Sequence, residues 1–197
     1  TPRPAAIEPA ALPGGSARPV TPAEIKALVR TVPDFPAPGI LFRDITTLIA
    51  HPEGLSATLD HLVEAARPSQ ASAVSGIEAR GFIFGAAIAA RLGLGFIPLR
   101  KPGKLPVAAI GVDYALEYGQ ARLELDPTLI APGEQVLLVD DLLATGGTAL
   151  AGAELLRAAG ARVDRALFVI DLPELGGGAR LRAAGVEPRA LIEFEGH

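Results

Sequence analysis

The sequence predicts an α/β protein in which helices flank a central, mostly parallel sheet. Short apolar runs typical of buried strands alternate with helical segments of about a dozen residues, which favours parallel strands joined by right-handed crossovers. The composition agrees with a globular protein, because 49% of the 197 residues are apolar and 20% are charged. This length is usual for one domain with a substantial core, so we expect a single domain.

The first 21 residues differ in composition from the rest of the chain. They contain five prolines and no hydrophobic period, so we expect a disordered or loosely packed extension, followed by a single domain at 22–197. Thr21 and Pro22 are typical of a helix N-cap and of the first helical position. They predict a short amphipathic helix that continues to about Arg30.

Proline and glycine interrupt the segment that follows this helix. Residues 32–45, VPDFPAPGILFRDI, contain three prolines and a glycine, which predicts an extended loop that ends in an apolar segment. A second helix is expected at about 53–66, since Pro68 follows at the point where such a helix would end.

Strands and helices then alternate in two blocks. Gly93 and Gly160 stand where glycine commonly closes a helix. The predicted elements are a strand at 72–76, a helix at 81–93, a strand at 95–100, a strand at 135–140, a helix at 148–160 and a strand at 165–172.

The segment at 101–126 separates the two blocks and breaks their rhythm. Apolar residues alternate within YALEYGQARLEL, which predicts a hairpin inside a long excursion. Excursions of this kind beyond a strand end often serve as lids over a binding site.

Composition also bears on the classes of function and location. The net charge of −4 gives no overall field that attracts nucleic acid, so we expect no nucleic-acid partner. The apolar runs are far shorter than the roughly 20 residues of a spanning helix, so we expect no membrane association.

The chain has no cysteine and no secretory pattern, and its three histidines lack ligand spacing. We therefore expect a cytoplasmic protein without a metal site of its own.

A loop rich in glycine and threonine follows the strand at 135–140. Asp140 and Asp141 come directly after an apolar run, where ligands bind in open α/β sheets. Glycine amides, threonine hydroxyls and a helix N-terminus together suit a phosphate, although a plain strand-to-helix turn has the same pattern. The loop is neither a Walker loop nor a GxGxxG motif. Its residues are Ala144, Thr145, Gly146, Gly147 and Thr148.

The two carboxylates help to distinguish these alternatives. They would repel a phosphate unless one ligand presents hydroxyl groups to the acids and its phosphate to the loop. A ribose 5-phosphate has this arrangement. Its 2- and 3-hydroxyls could donate to Asp140 and Asp141 while the 5-phosphate lies on residues 144–148.

Five motifs in the chain resemble those of one enzyme family. VLLVDDLLATGGT is similar to the phosphoribosyl pyrophosphate motif of the type I phosphoribosyltransferases. PDFPAPGILFRDIT, EARGFIFG, RKPGKLP and LEYG occur in the same order as in adenine phosphoribosyltransferases. The resemblance extends from about Val32 to Gly160 and is weaker beyond. It implies the type I phosphoribosyltransferase fold, with a small N-terminal hood at about 32–50 and a flexible lid at about 101–126.

The resemblance also implies a reaction. Adenine would join C1 of phosphoribosyl pyrophosphate to give AMP and pyrophosphate, with Mg²⁺ held mainly through substrate and water, in a homodimer. A 6-oxopurine phosphoribosyltransferase is the main alternative. A non-catalytic regulator that senses phosphoribosyl pyrophosphate is a weaker one, because residues 1–21 are too short for a helix-turn-helix.

The resemblance assigns roles to basic residues near the leaving pyrophosphate. Arg80 is expected to face it as a catalytic residue, with Arg100, Lys101 and Lys104 adding charge. Taken alone, Arg80 would fit a surface salt bridge better, and the matched motif favours the site role. The loop from Glu78 to Gly81 is expected to contain a non-proline cis peptide, and a site role for Glu78 stays open.

The same resemblance places adenine against the hood and under the lid. Phe42 would stack on the purine, the backbone of Leu41 and Arg43 would read its edges, and Leu142 would close the other face. Without the flanking motif, Phe42 would suit a core position. The lid residue Glu117 would act as acid or base on the purine N7 or N9 proton. Tyr118 and Tyr114 would shape the closed lid. All three residues belong to the segment YALEY, residues 114–118.

Overall fold

A computed structural model describes residues 19–116 and 119–196, with the backbone alone at 115, 116 and 119. The predicted extension at 1–21 lies almost entirely outside this part of the chain and stays a prediction. The helices are α1 (Pro22–Ala27), α2 (Thr46–Ile49), α3 (Pro52–Ala66), α4 (Arg80–Leu92), α5 (Gly147–Ala158) and α6 (Gly177–Ala183). The strands are β1 (Arg30–Pro33), β2 (Leu41–Asp44), β3 (Ala73–Ile77), β4 (Gly95–Leu99), β5 (Ile110–Leu116), β6 (Gly119–Leu125), β7 (Val136–Leu143), β8 (Arg165–Asp171) and β9 (Glu187–Glu193).

Five of these strands form a parallel sheet in the order β4-β3-β7-β8-β9. This sheet confirms the predicted α/β class. The strands and helices predicted at 72–100 and 135–172 agree with β3, α4, β4, β7, α5 and β8, except that β7 continues to Leu143. Because parallel strands end at the same edge, the carboxyl ends of β3 and β7 lie side by side there.

Apolar residues cover the sheet on both faces. Leu137 and Val139 of β7 pack into a cluster with α1 to α4. Val136 and Leu138 face the opposite way and pack with α5, α6 and β6. This alternation follows from the two-residue period of a strand, and burial of the two clusters supplies the main driving force for the fold.

Close packing holds the start of α4 against β7. A Cβ added at Gly81 would lie 2.9 Å from Val139 O and from Asp140 Oδ1, and one at Gly85 would lie 2.8 Å from the Phe96 ring. Since glycine has no side chain, α4 can approach the sheet closely at both positions. Arg80, the first residue of α4, is thereby brought to the carboxyl end of β7.

The hood differs from its sequence-based prediction. Thr21 and Glu24 form the capping box of α1, but the helix ends at Ala27 rather than near Arg30. β1 and β2 form an antiparallel pair where an extended loop was expected. Arg30 pairs with Asp44 across the two strands, an interaction between distant residues that sequence patterns did not reveal. The prolines are accommodated at the end of β1 and in the turn that follows.

The two elements that end the chain, α6 and β9, were not predicted. β9 pairs in parallel with β8. Phe194 then follows; it is 9% exposed, with the Lys26 ammonium 4.8 Å and the Arg43 guanidinium 4.6 Å from its ring centroid. Arg43 Nη2 also donates to Glu195 O at 2.7 Å. The end of the chain therefore ties α1 to the hood strand β2.

The predicted hairpin is present at the edge of the parallel sheet. β5 and β6 pair in an antiparallel register from Ile110 opposite Leu125 to Leu116 opposite Gly119. Leu123 and Leu125 are buried in the core, so the base of the hairpin belongs to the folded domain. None of the helices between residues 19 and 196, leaving aside 117 and 118, has the length and apolar character that crossing a bilayer requires.

We expect Phe194→Ala to lower the free energy of unfolding by about 3 kcal/mol, because it removes a buried aromatic ring and two cation contacts. Phe194→Leu should cost roughly half as much, since it keeps apolar volume. Urea unfolding at equilibrium measures both. Phe35→Ala is the matched control, because Phe35 is 48% exposed. Equal losses for Phe194→Ala and Phe35→Ala would contradict the role of Phe194 in tying α1 to β2.

Candidate active site

A cavity of about 820 Å³ lies at the carboxyl ends of β3 and β7. Three segments line it: the start of α4 with the residues before it, the loop from β7 to α5, and one side of the hairpin. This position agrees with the rule that ligands bind beyond the carboxyl edge of a parallel sheet. Its lining residues include Glu78, Arg80, Lys101, Asp113, Arg122, Asp140, Asp141 and residues 142–149.

The loop from β7 to α5 has the geometry of an anion site. Gly146 has a φ of 82°, in the left-handed region that side chains rarely adopt. α5 begins at Gly147 and is 12 residues long, so its first amide groups and its dipole face the cavity end of the loop. Thr145 and Thr148 line the same cavity and add hydroxyl groups. The structure thus brings all of residues 144–148 together.

Asp140 and Asp141 lie within β7 rather than after it, because the strand continues to Leu143. Asp140 Oδ1 accepts a hydrogen bond from Asp141 N at 2.9 Å. Asp141 is buried, and its Oδ2 accepts from Arg80 Nε at 2.5 Å. The arginine expected at a leaving group therefore pairs with one of the two acids in this structure.

The Asp140 carboxyl group has a pKa well above its ordinary value. Burial is the main cause, since a low dielectric disfavours the charged form. The negative charge of Asp141 raises the pKa further, whereas the Asp141 N–H and the charge of Arg80 lower it. Asp140 therefore holds a proton more tightly than an ordinary aspartate does.

Glu78 organises the second group of charges. Its Oε2 accepts from Lys101 N at 2.8 Å and from Arg100 Nε at 3.0 Å. The Lys101 N–H bond is the largest cause of a lowered pKa at Glu78, and Arg100 lowers it further against the opposing effect of burial. The Glu78–Ala79 peptide bond is cis, as the family resemblance implied. Glu78 therefore connects the end of β3 to the lysine-bearing loop after β4.

The remaining basic residues of that loop take different positions. Lys101 lines the cavity. Arg100 is bound to Glu78, with its guanidinium 5.8 Å from the Phe82 ring centroid. Lys104 is exposed and lies outside the described lining. Of the four basic residues expected near the pyrophosphate, Arg80 and Lys101 are those that the structure brings into the cavity wall.

The hood residues are not part of the described lining of this cavity. Leu41, Phe42 and Arg43 lie on β2, whereas Leu142 belongs to the cavity wall. Phe42 packs edge-on against Phe35, with 5.1 Å between ring centroids. The Arg43 side chain reaches Thr31 and the end of the described chain, away from the cavity wall.

The hairpin contributes residues that sequence reasoning missed. Asp113, Gln120 and Arg122 line the cavity and were not singled out from sequence. Tyr114, which was, lines it as well, whereas Glu117 and Tyr118 lie outside the described residues. Arg122 Nη1 donates to Asp113 Oδ2 at 2.9 Å, and its pKa is raised chiefly by that bond. The alternation along β5 and β6 was the available signal, because it places Asp113, Gln120 and Arg122 on one face of the two-stranded ribbon.

The raised pKa of Asp140 predicts how stability depends on pH. When the pKa of a carboxyl group is higher in the folded than in the unfolded protein, the folded protein binds more protons at pH values between the two pKa values. The free energy of unfolding therefore falls as the pH rises through that interval. The interval begins near pH 4, the ordinary range of an aspartate. We expect Asp140→Asn to flatten this decline and to stabilise the protein without ligand at neutral pH.

Urea unfolding of both proteins at a series of pH values measures this difference. Asn keeps an oxygen that can accept from Asp141 N, so packing changes little. If the free energies of unfolding of the two proteins change in parallel from pH 4 to 8, and Asp140→Asn is no more stable near pH 8, the pKa of Asp140 is not raised.

Comparison with known proteins identifies the family. Residues 55–176 match the model of the phosphoribosyl transferase domain. The adenine phosphoribosyltransferase of Novosphingobium aromaticivorans is 72% identical over 174 residues, which cover 88% of this chain and 98% of that protein.

Solved structures agree with this relationship. Adenine phosphoribosyltransferase from Thermoanaerobacter pseudethanolicus superimposes with a TM-score of 0.83 at 42% identity, over 88% of this chain and 100% of the other. The APRTase from Giardia lamblia in complex with 9-deazaadenine gives a TM-score of 0.84 at 34% identity, over 89% of this chain and 98% of the other. The chain therefore belongs to the phosphoribosyltransferase family and, within it, to the adenine phosphoribosyltransferases.

Proposed function

We propose that the cavity at the carboxyl edge of β3 and β7 is where this chain transfers a phosphoribosyl group from phosphoribosyl pyrophosphate to adenine. The products are AMP and pyrophosphate, a purine-salvage reaction. The observation that carries the assignment is the pair Asp140 and Asp141 beside the loop at 144–148 in one cavity wall. A sugar phosphate is a ligand that offers hydroxyl donors to the acids and an anion to the loop.

The ribose 5-phosphate would bind across this wall. Its 2- and 3-hydroxyls would donate to Asp140 and Asp141. Its 5-phosphate would accept from the amides of residues 144–148 at the start of α5, with Thr145 and Thr148 adding hydroxyl donors. Donation by a sugar hydroxyl would stabilise the carboxylate form of Asp140, whose pKa is raised by burial in the protein without ligand.

The pyrophosphate would occupy the basic side of the cavity. Arg80 would exchange Asp141 for phosphate oxygens, because a guanidinium binds phosphate with two parallel bonds. Lys101 lines the same side. Arg100 and Lys104 would contribute charge from the loop that Glu78 anchors.

The chemistry follows from where charge develops. As the bond from C1 to pyrophosphate breaks, the electron pair leaves with the pyrophosphate and positive charge grows on the ribose. Carboxylates at the ring and cations at the leaving group both stabilise that transition state. Adenine N9 then forms the new bond to C1.

Base recognition belongs to the hood and the lid in this proposal. Backbone groups of Leu41 and Arg43 would read the adenine edges, Phe42 would stack on one face, and Leu142 would cover the other. Glu117 would accept or donate the purine proton as the lid closes, with Tyr118 beside it. Turnover of Glu117→Gln at close to the rate of the unmodified chain would exclude this role.

Mg²⁺ fits this cavity as an ion held mainly by the substrate. Among the described residues no group of three or more His, Asp or Glu side chains could hold a metal ion. The adjacent Asp140 and Asp141 offer oxygen to the ribose side, which suits an ion that keeps several waters and binds phosphates. When bound, Mg²⁺ would neutralise charge on the departing pyrophosphate.

Two further predictions concern the state of the protein. A homodimer is expected from the family, and sedimentation should give twice the chain mass of 20.2 kDa. A value equal to one chain would exclude it. The cytoplasmic location stays a prediction, which fractionation of the source cells would check.

The function is tested by measuring product formation from phosphoribosyl pyrophosphate and Mg²⁺ with adenine, hypoxanthine or guanine. We expect AMP from adenine, with a kcat/KM at least about a hundredfold above that of either 6-oxopurine, because the wrong base leaves buried polar groups unpaired. Ribose 5-phosphate in place of phosphoribosyl pyrophosphate is the control and should give no AMP. Comparable turnover of guanine or hypoxanthine would contradict adenine specificity.

A further inference from the structure

The loop at 144–148 rests on the start of α6, on the side away from the cavity. Gly177 N donates to Ala144 O at 3.1 Å, and Arg180 Nη1 donates to Thr145 O at 2.8 Å. Thr145 and Gly146 line the cavity, whereas Gly177 and Arg180 are not among its described lining residues. α6 therefore contacts the back of the loop through two carbonyl groups.

We propose that Arg180 is a positioning residue that directs the amides of this loop toward the 5-phosphate. The inference rests on the proposed binding of the 5-phosphate at residues 144–148. It adds a residue that touches no substrate and that none of the motifs in the sequence includes.

The planarity of the peptide bond links each carbonyl to the next amide. In a trans peptide the C=O and the following N–H point in opposite directions. Because Ala144 O is held by Gly177 N, the N–H of Thr145 is turned away from α6. Because Thr145 O is held by Arg180, the N–H of Gly146 is turned away from α6 as well. Both amides are thus directed to the side where the cavity lies.

The fit between the loop and α6 is close. A Cβ added at Gly177 would lie 2.2 Å from Ala144 O, and one at Gly146 would lie 3.1 Å from Gly177 O. Two backbones therefore meet without intervening side chains, so a change at α6 reaches the loop directly. The Arg180 guanidinium also places a positive charge behind an anion site, which favours a bound phosphate.

Arg182 provides a matched control on the same helix. It is exposed like Arg180, and its Nε pairs with Glu187 Oε1 at 3.2 Å rather than with the loop. Removal of Arg182 changes the net charge by the same amount and leaves the carbonyl of Thr145 bound. A difference between the two variants therefore reports the contact and not the charge of the protein as a whole.

The test compares Arg180→Ala, Arg180→Lys, Arg182→Ala and Thr148→Ala. Steady-state assays give kcat and both KM values, and calorimetry gives the Kd of ribose 5-phosphate. We expect Arg180→Ala to raise the KM of phosphoribosyl pyrophosphate and the Kd of ribose 5-phosphate about five- to tenfold, the size of one ordinary hydrogen bond, because Arg180 acts on the phosphate only through the loop. The KM of adenine and kcat should change less than about twofold, because phosphate binding is common to the ground and transition states.

Arg180→Lys should recover most of the affinity, and Arg182→Ala should match the unmodified chain. If Arg180→Ala and Arg182→Ala bind ribose 5-phosphate with the same Kd while Thr148→Ala binds it more weakly, Arg180 has no positioning role. The phosphate site itself would still be supported. No effect of Thr148→Ala on ribose 5-phosphate would instead refute the phosphate site and this inference with it. If Arg180→Ala does not fold, Arg180→Met replaces it in the comparison with Arg182→Ala. Methionine keeps an apolar side chain of similar length but has no hydrogen-bond donor.

Discussion

The site depends on an electrostatic constraint at the carboxyl end of β7, where two carboxylates lie within a few residues of a loop that suits an anion. The protein balances each acid separately. Asp141 pairs with Arg80, Asp113 with Arg122, and Glu78 with Arg100 and the Lys101 amide. Burial instead raises the pKa of Asp140. A ligand that carries both hydroxyls and phosphates can replace these internal partners on each side, and we propose that phosphoribosyl pyrophosphate binds in this way.

The fold maintains this balance through close contacts between backbones. Parallel pairing brings the ends of β3 and β7 together, and Gly81 lets α4 carry Arg80 to the same point. α6 supports the loop at 144–148 from behind through Gly177. These contacts fix the backbone from which the charged side chains extend, so binding has less of the site to order.

The sequence predicted the parts of the fold whose patterns are local. Apolar runs such as 136–139 and the helix-ending Gly93 and Gly160 indicate the strands and helices that form the layers, and the motif at 140–148 predicts a sugar phosphate as the ligand. The hood hairpin escaped prediction because its prolines lie at a strand end and in a turn, while Arg30 and Asp44 meet only in three dimensions. α6 escaped because its glycine-rich start lacks a helical period. The role that we propose for α6 depends on the hydrogen bond from Arg180 to Thr145 O, which lies 35 residues earlier in the chain.

The central claim is that one sugar phosphate binds both halves of the site, and amide NMR of the ¹⁵N-labelled protein tests it most directly. Titration with ribose 5-phosphate should shift the amide signals of Asp141, Thr145, Gly146 and Thr148 with a single Kd. Inorganic phosphate, which has no sugar hydroxyls, should shift the loop signals and leave Asp141 nearly unchanged. Shifts from ribose 5-phosphate that leave residues 144–148 unaffected, or separate Kd values for Asp141 and the loop, would contradict the account.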